Sequence, residues 1–351
     1  MKTVFLGVGV AAATLVLATQ AANTAEQNIR VLGWYGNQPQ QQVVEVPYWK
    51  SLGEKTNDVF SADFKTVDEL GLTGYDNLRL LQSGAFDIVS FQLPHVSGDD
   101  PVFMGAELPG LVFDAYTVKP IAEAYFPVME ERLQTQYDAK LLAVWAYPPQ
   151  ILYCKGDIKS FTDIAGKKVR TSNAFSAMLI EEFGAISMTI AAPEVFQALM
   201  QGIVDCGITG SVYGNVNDWH AVTDVLLPIP VGGSGLAVHA VSNKFWNRLT
   251  AEQQTLLEAE VKELGEALWQ LTLDQDQAAI DCNTGKECAN GRPGNMTLLE
   301  ASEEIRRDVT SRVADKVLKP WASDCEAVFP GCVAKWNETV GKQLSVEIVV
   351  E

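Results

Sequence analysis

Arg170 is the cation whose setting best suits chemistry. It lies in the run Gly166-Lys167-Lys168-Val169-Arg170-Thr171-Ser172-Asn173. That run reads as a short strand over 167–170 feeding a helix over 174–183, with Ser172 or Asn173 as its N-cap and Gly184 as its stop. An arginine at such a junction shares one crevice with the free N–H groups of the helix start, and the pair suits an anion. A surface arginine in an ion pair would leave the same local sequence, so both readings stay open at this point. Five other residues fall at or just past expected strand ends: Trp34, Gln92, Gln150, Thr209 and Tyr213. Arg170 can grip a carboxylate with two parallel hydrogen bonds. Gln92, Gln150 and Thr209 can donate hydrogen bonds, and Trp34 and Tyr213 can clamp an apolar or planar body, although both can equally be core aromatics. One cation among neutral polar groups and aromatic walls is the make-up of a small-ligand pocket.

Catalytic patterns are missing. Gly232-Gly233-Ser234-Gly235 does not fit G-x-S-x-G, and there is neither a Walker A run nor H-E-x-x-H. Asp99-Asp100 and Glu181-Glu182 read as solvated or capping acids, and His220 has no nucleophile arranged near it. We expect no catalytic residue and no cofactor. Nor is a metal site expected, since there is no C-x-x-C and the histidines His95, His220 and His239 are scattered.

The 351 residues carry 26 basic and 44 acidic side chains, for a net charge of −18. That balance excludes nucleic acid and anionic lipid as partners, both of which need basic patches. An anionic solute would meet an unfavourable overall field, so a specific local cation must capture it. The length suits roughly two domains. Residues 1–25 differ from the rest. Lys2 is the one charge, an apolar run follows over 4–17, and Ala18, Ala21, Ala22 and Ala25 supply small residues. We read a secretory signal peptide cleaved between 21 and 25, hence a periplasmic protein that is not membrane-inserted once cleaved. The apolar run is shorter than the roughly 20 residues a span needs, and no cysteine near the cleavage zone offers a lipid anchor.

Six cysteines in an exported chain suggest disulfides. Cys282 with Cys288 and Cys325 with Cys332 are close enough in sequence to staple short loops. That leaves Cys154 with Cys206, on segments that the alternation below sets side by side.

The elements that must position these residues alternate. Strands over 28–34, 58–65 and 86–91 enclose a helix over 41–56, interrupted near Pro47, and another over 75–83. A helix over 120–137 and a strand over 140–146 lead to Pro148-Pro149, read as a crossing between two domains. Strands over 150–155, 167–170, 186–190 and 203–208 then repeat the pattern, and the loops at their carboxyl ends are where open α/β sheets bind ligands. A strand over 236–241 is the return crossing. Thr250 and Gln253 form a capping box for a helix to about Ile280, about 45 Å long at 1.5 Å per residue and able to back both domains. The tail reads as a helix over 298–318, a last helix and an end strand over 345–350. The expected division is 26–149, completed by about 240–275, and 150–239, completed by about 276–351.

Residues 158–210 carry a family resemblance. Asp163-Ile164-Ala165-Gly166-Lys167-Lys168-Val169-Arg170 is similar to D-L-K-G-x-K-x-R. Glu194-Val195-Phe196-Gln197-Ala198-Leu199-Met200-Gln201-Gly202-Ile203-Val204-Asp205 is similar to E-V-Y-x-A-L-Q-x-G-x-V-D. Leu78 to Gln92, LRLLQSGAFDIVSFQ, fits as well. The chain thus resembles the extracytoplasmic solute-binding proteins of TRAP transporters, the DctP-like family. The resemblance implies a two-domain periplasmic-binding-protein fold with hinge strands and a long helix spanning both domains. It also implies closure on a ligand, delivery to small and large membrane subunits, and a carboxylate-binding arginine at Arg170. Departures refine this. Gln150 stands where many members have a second arginine, and Cys206-Gly207-Ile208-Thr209 stands where many have Gly-Gln-Glu-Asn. Sialic acid and C4-dicarboxylates lose support accordingly, and a monoanion, carboxylate or sulfonate, with an apolar or aromatic body gains it. The alternatives are a ligand-sensing partner of a membrane receptor and, from another class, a hydrolase of small acids. A monomer or weak dimer is expected.

Overall fold

The structure, a computed structural model, describes residues 26–289 and 291–349. The expected signal peptide, residues 1–25, lies outside them. Two mixed sheets organise the chain. The first contains β1 (Gln27–Gly33), β2 (Phe60–Thr66), β3 (Ile88–Gln92), β4 (Ala139–Ala146) and β10 (Leu236–Ser242), in the order β2-β1-β3-β10-β4. The second contains β5 (Gln150–Cys154), β6 (Lys168–Thr171), β7 (Ile186–Thr189), β8 (Cys206–Gly210), β9 (Val225–Leu227) and β11 (Thr297–Leu298), in the order β11-β9-β5-β8-β6-β7. In each sheet one strand runs antiparallel to both of its neighbours: β10 in the first and β5 in the second. These are the strands that follow the two crossings, because a chain arriving from the other sheet enters from the opposite end.

The crossings are tied to each other. Tyr147 donates its N–H to the Gly235 carbonyl (2.8 Å) and Gln150 to that of Gly233 (2.9 Å). Gly233 takes a φ of +94°, and a Cβ there would sit 2.7 Å from the Glu107 carbonyl oxygen, so the loop needs glycine. Glu107 is buried, and its Oε2 accepts from the Leu236 N–H at 2.9 Å where the second crossing enters β10.

The helix Ala251–Asn283 opens with the expected Thr250–Gln253 capping box and runs past both sheets. Trp269 Nε1 donates to the Val144 carbonyl on β4 (2.8 Å), and Asn283 Nδ2 donates to the Tyr153 hydroxyl on β5 (3.0 Å). Of its apolar stripe, Leu257, Val261, Leu264 and Leu268 are buried and Leu271 is half-buried.

Several expectations need correction. Pro47 does not interrupt the first helix. A π-helical turn, Gln40–Glu45, passes directly into the α-helix Val46–Lys55, and proline falls near the first α position, where its missing N–H costs least. The helix expected from 120 begins at Ala115, capped by Asp114, and accommodates Pro120 and Pro127. Leu298 is not helical: it pairs with Leu226 in β11, and the helix Glu303–Val313 starts after its cap Ser302. The end strand over 345–350 is absent among the described residues. Ser345 turns the chain at a φ of +55°, and the backbone of Ile348 is paired on both sides by the Asn337 side chain, at 2.9 and 2.8 Å, instead of by a strand.

The tail, expected to complete the second domain, divides its contacts: Arg312 and Lys316 pair with Glu182 on the second domain, while the part beyond 318 reaches the first. Trp321 Nε1 and Trp336 Nε1 donate to the carbonyls of Pro101 and Gly105, each at 2.8 Å, and Lys335 pairs with Glu131. The three disulfides are Cys154–Cys206, Cys282–Cys288 and Cys325–Cys332. The first joins residues directly opposite each other on β5 and β8.

Candidate functional site

The carboxyl ends of β1, β3, β6 and β8 and the amino end of β5 face one gap between the sheets. Trp34 follows β1, Gln92 ends β3, Gln150 opens β5, Arg170 and Thr209 are the penultimate residues of β6 and β8, and Tyr213 is on the helix Ser211–Val216. All six line the same cavity. The helix after β6 starts where expected, with Asn173 Oδ1 accepting from the Ser176 N–H at 2.9 Å.

Arg170 is buried, 3% exposed. Its Nε donates to the Ile190 carbonyl and its Nη1 to the Ile208 carbonyl, both at 2.8 Å. Among the described residues no carboxylate pairs with it, and no acidic side chain lines the cavity. Burial lowers its pKa, partly offset by the nearby oxygens of Tyr75, Tyr213 and Tyr35. A buried cation held in place by carbonyl dipoles, with no counter-ion among the described residues, is suited to meet an anion.

Its surroundings stay neutral. Burial pushes the Tyr35 hydroxyl up to about 12, and it raises Tyr213 and Tyr75 in the same direction against the pull of Arg170. His95 is driven down to about 3, first by burial and then by the Arg170 charge, so its imidazole is uncharged. The aromatic wall is tightly built. The Trp34 ring lies 4.7 Å from the His95 ring in an edge-on contact, and a Cβ on Gly74 would come within 2.2 Å of Trp34. Trp34 is thus a fixed wall, 2% exposed. Gln150 is partly committed, since its Nε2 donates to the Pro148 carbonyl at 2.8 Å.

Sequence reading missed Tyr35, Gln38, Gln40, His95, Tyr147 and Ser172, which line the same cavity. Tyr35 and Ser172 were in reach, each next or nearly next to a residue already singled out. Gln40 was not, because it stands on a π-helical turn that no apolar spacing announces. At the rim, Asn37 Nδ2 donates to Asn217 Oδ1 at 2.8 Å, a bond between the lobes.

Residues 33–314 match a family model described as bacterial extracellular solute-binding protein, family 7. Among solved structures, an extracytoplasmic solute receptor of Bordetella pertussis binding pyroglutamic acid is 16% identical with a TM-score of 0.75, over 89% of this chain and 99% of that one. A TRAP periplasmic solute binding protein from Desulfovibrio salexigens, with bound orotic acid, is 14% identical with a TM-score of 0.77, over 90% and 99%. A third, from Roseobacter denitrificans with bound beta-D-glucuronate, is 16% identical with a TM-score of 0.75, over 89% and 100%. At these identities the likeness is one of fold, the two-domain architecture of periplasmic binding proteins. No curated protein sequence matches.

Proposed function

Since this chain belongs to family 7 of the bacterial extracellular solute-binding proteins, we propose that it takes a small organic acid between its two lobes in the periplasm and delivers it to the membrane subunits of a TRAP transporter. The family is one of solute receptors, and the chain is a binding protein, not an enzyme. Among the described residues no helix is long and apolar enough to cross a membrane.

The observation that carries the reading is Arg170: buried, fixed by two carbonyls and without an acidic partner among the described residues. A buried unpaired charge is costly, and a carboxylate arriving at the guanidinium offsets that cost. Pyroglutamate, orotate and glucuronate, the solutes of the similar structures, have a carboxylate in common. Gln92, Gln150 and Thr209 would then bind the solute's polar edge, and Trp34 and Tyr213 its flat or apolar body. The solute would bridge the lobes and stabilise the closed form through contacts that an open form lacks. In this reading the moving bodies are 26–149 with about 240–275, and 150–239 with about 276 onward. The contacts of the helices beyond 318 favour their riding with the first body.

The test is a thermal-shift titration of the purified protein with a library of organic acids, before and after Arg170→Ala. Shifts confined to the unsubstituted protein are the expected result. Equal shifts in both would remove Arg170 from the mechanism. Mass determination of a co-purifying solute would name the acid.

A further inference from the structure

Gln40 opens the π-helical turn on the first lobe and is 0% exposed, yet among the described residues neither its Oε1 nor its Nε2 has a hydrogen-bond partner. Its neighbour Gln41 is held through one nitrogen: Gln41 Nε2 donates to Glu45 Oε1 at 3.1 Å and to the Tyr147 hydroxyl at 3.2 Å, while its Oε1 has no partner among the described residues. Those bonds lock the turn and so fix where Gln40 stands. Buried amides are almost always satisfied, and the face that Gln40 lines is the same gap that Arg170 lines. The missing acceptor and donor therefore come from whatever fills the gap.

We propose that Gln40 reads the neutral end of the solute, and that the solute is a carboxylate that also carries an amide edge, an N–H beside a C=O in cis, as in a lactam or a cyclic ureide. A carboxamide presents one donor and one acceptor side by side in a plane. The group that meets both at once is another planar amide edge, paired by two parallel hydrogen bonds. The walls beside it, Trp34, Tyr35 and Tyr147, are aromatic and suit a flat ring. A polyhydroxy acid fits Gln40 less well, because it has no rigid planar edge that sets one donor beside one acceptor. This inference rests on the acid-binding reading of Arg170.

Calorimetry on the purified protein tests it with four acids: pyroglutamate; its lactone isostere 5-oxotetrahydrofuran-2-carboxylate, which keeps the C=O and loses the N–H; cyclopentanecarboxylate, which lacks both; and glucuronate. The expected result is that the lactam binds about tenfold or more tighter than the lactone, since the lost donor leaves the Gln40 oxygen unpaired. In Gln40→Met the lactam-to-lactone ratio should fall to about one, while cyclopentanecarboxylate binds both proteins alike. Equal affinity of the unsubstituted protein for lactam and lactone, a ratio that survives Gln40→Met, or a preference for glucuronate over the lactam would each overturn the assignment. The first and last of these need no variant, so they decide the matter even if Gln40→Met does not fold. Binding of all four acids that is unchanged by Arg170→Ala would instead overturn the acid-binding reading itself.

Discussion

The guanidinium of Arg170 donates through Nη1 to the carbonyl of Ile208, 2.8 Å away on the neighbouring strand, while its Nε is taken by Ile190. The charge is therefore aimed by the backbone of the second sheet, and in the proposed reading the other guanidinium nitrogen meets the solute. Arg170→Lys should lose at least tenfold in affinity for a carboxylate, although the charge is kept. A single ammonium cannot hold two carbonyls and a planar acid in the same geometry, and one charge-assisted hydrogen bond contributes about 1.5–3 kcal/mol. Calorimetry with the best-binding acid checks this. Unchanged affinity in Arg170→Lys would mean that the site needs a charge but not a fork.

The parts of this site that could be read from sequence are those set by local rules. The cap at Asn173, the Thr250–Gln253 box and the strand over 236–241 follow from capping and alternation, and the same alternation puts Arg170, Gln92 and Thr209 at or near strand ends. What could not be read depends on contacts distant in sequence. The pair β9 and β11 is two or three residues of each strand, too short to show a period. Ile348 has strand-forming neighbours, but its backbone is claimed by the Asn337 side chain. Gln40 sits in a π-turn just ahead of Pro47, and the proline drew the reading toward a break where the helix instead changes its winding. The tail's attachment to the first lobe is made by indole N–H groups of Trp321 and Trp336 to the 101–105 backbone, which no spacing reveals.

The Cys154–Cys206 bond closes a stretch of 52 residues that carries β6, β7 and Arg170. By loop-closure entropy such a cross-link contributes about 4 kcal/mol. The double substitution Cys154→Ala, Cys206→Ala should lower stability by about that amount in chemical denaturation. It should leave carboxylate affinity within about twofold under native conditions, because the bond ties the ends of β5 and β8 remote from Gln150 and Thr209. A large loss of affinity with little loss of stability would place the bond in the site's working geometry instead.

Asn37 and Asn217 join the lobes at the exposed rim of the gap, 2.8 Å apart. An exposed hydrogen bond between neutral groups contributes at the low end of about 0.5–1.5 kcal/mol, and here the whole of it belongs to the closed form. Asn37→Ala should weaken carboxylate binding by about two- to fivefold, mainly by faster release, without touching a residue of the cavity. Stopped-flow dissociation measures it. An unchanged release rate would mean that the rim bond does not hold the lobes shut.

Asp276 on the long helix accepts a hydrogen bond from the Ser211 hydroxyl at 2.6 Å, at the start of the helix that carries Tyr213. Burial pushes this carboxyl up to about 6, and the Ser211 bond pulls the other way. Because the folded chain favours the protonated form, the stability it gains is complete below the ordinary carboxylate range and is lost as pH rises to about 6. Asp276→Asn keeps an oxygen for Ser211 and stays neutral at every pH. The variant and the unsubstituted protein should therefore be close in stability near pH 3.5. The variant should gain steadily between about pH 4 and 6, with the gap flat above that. Denaturation midpoints across that range decide it. Parallel curves would show that the Asp276 carboxyl is solvated enough to titrate as in the unfolded chain, and that Ser211, and with it the Tyr213 helix, is not anchored on a buried acid.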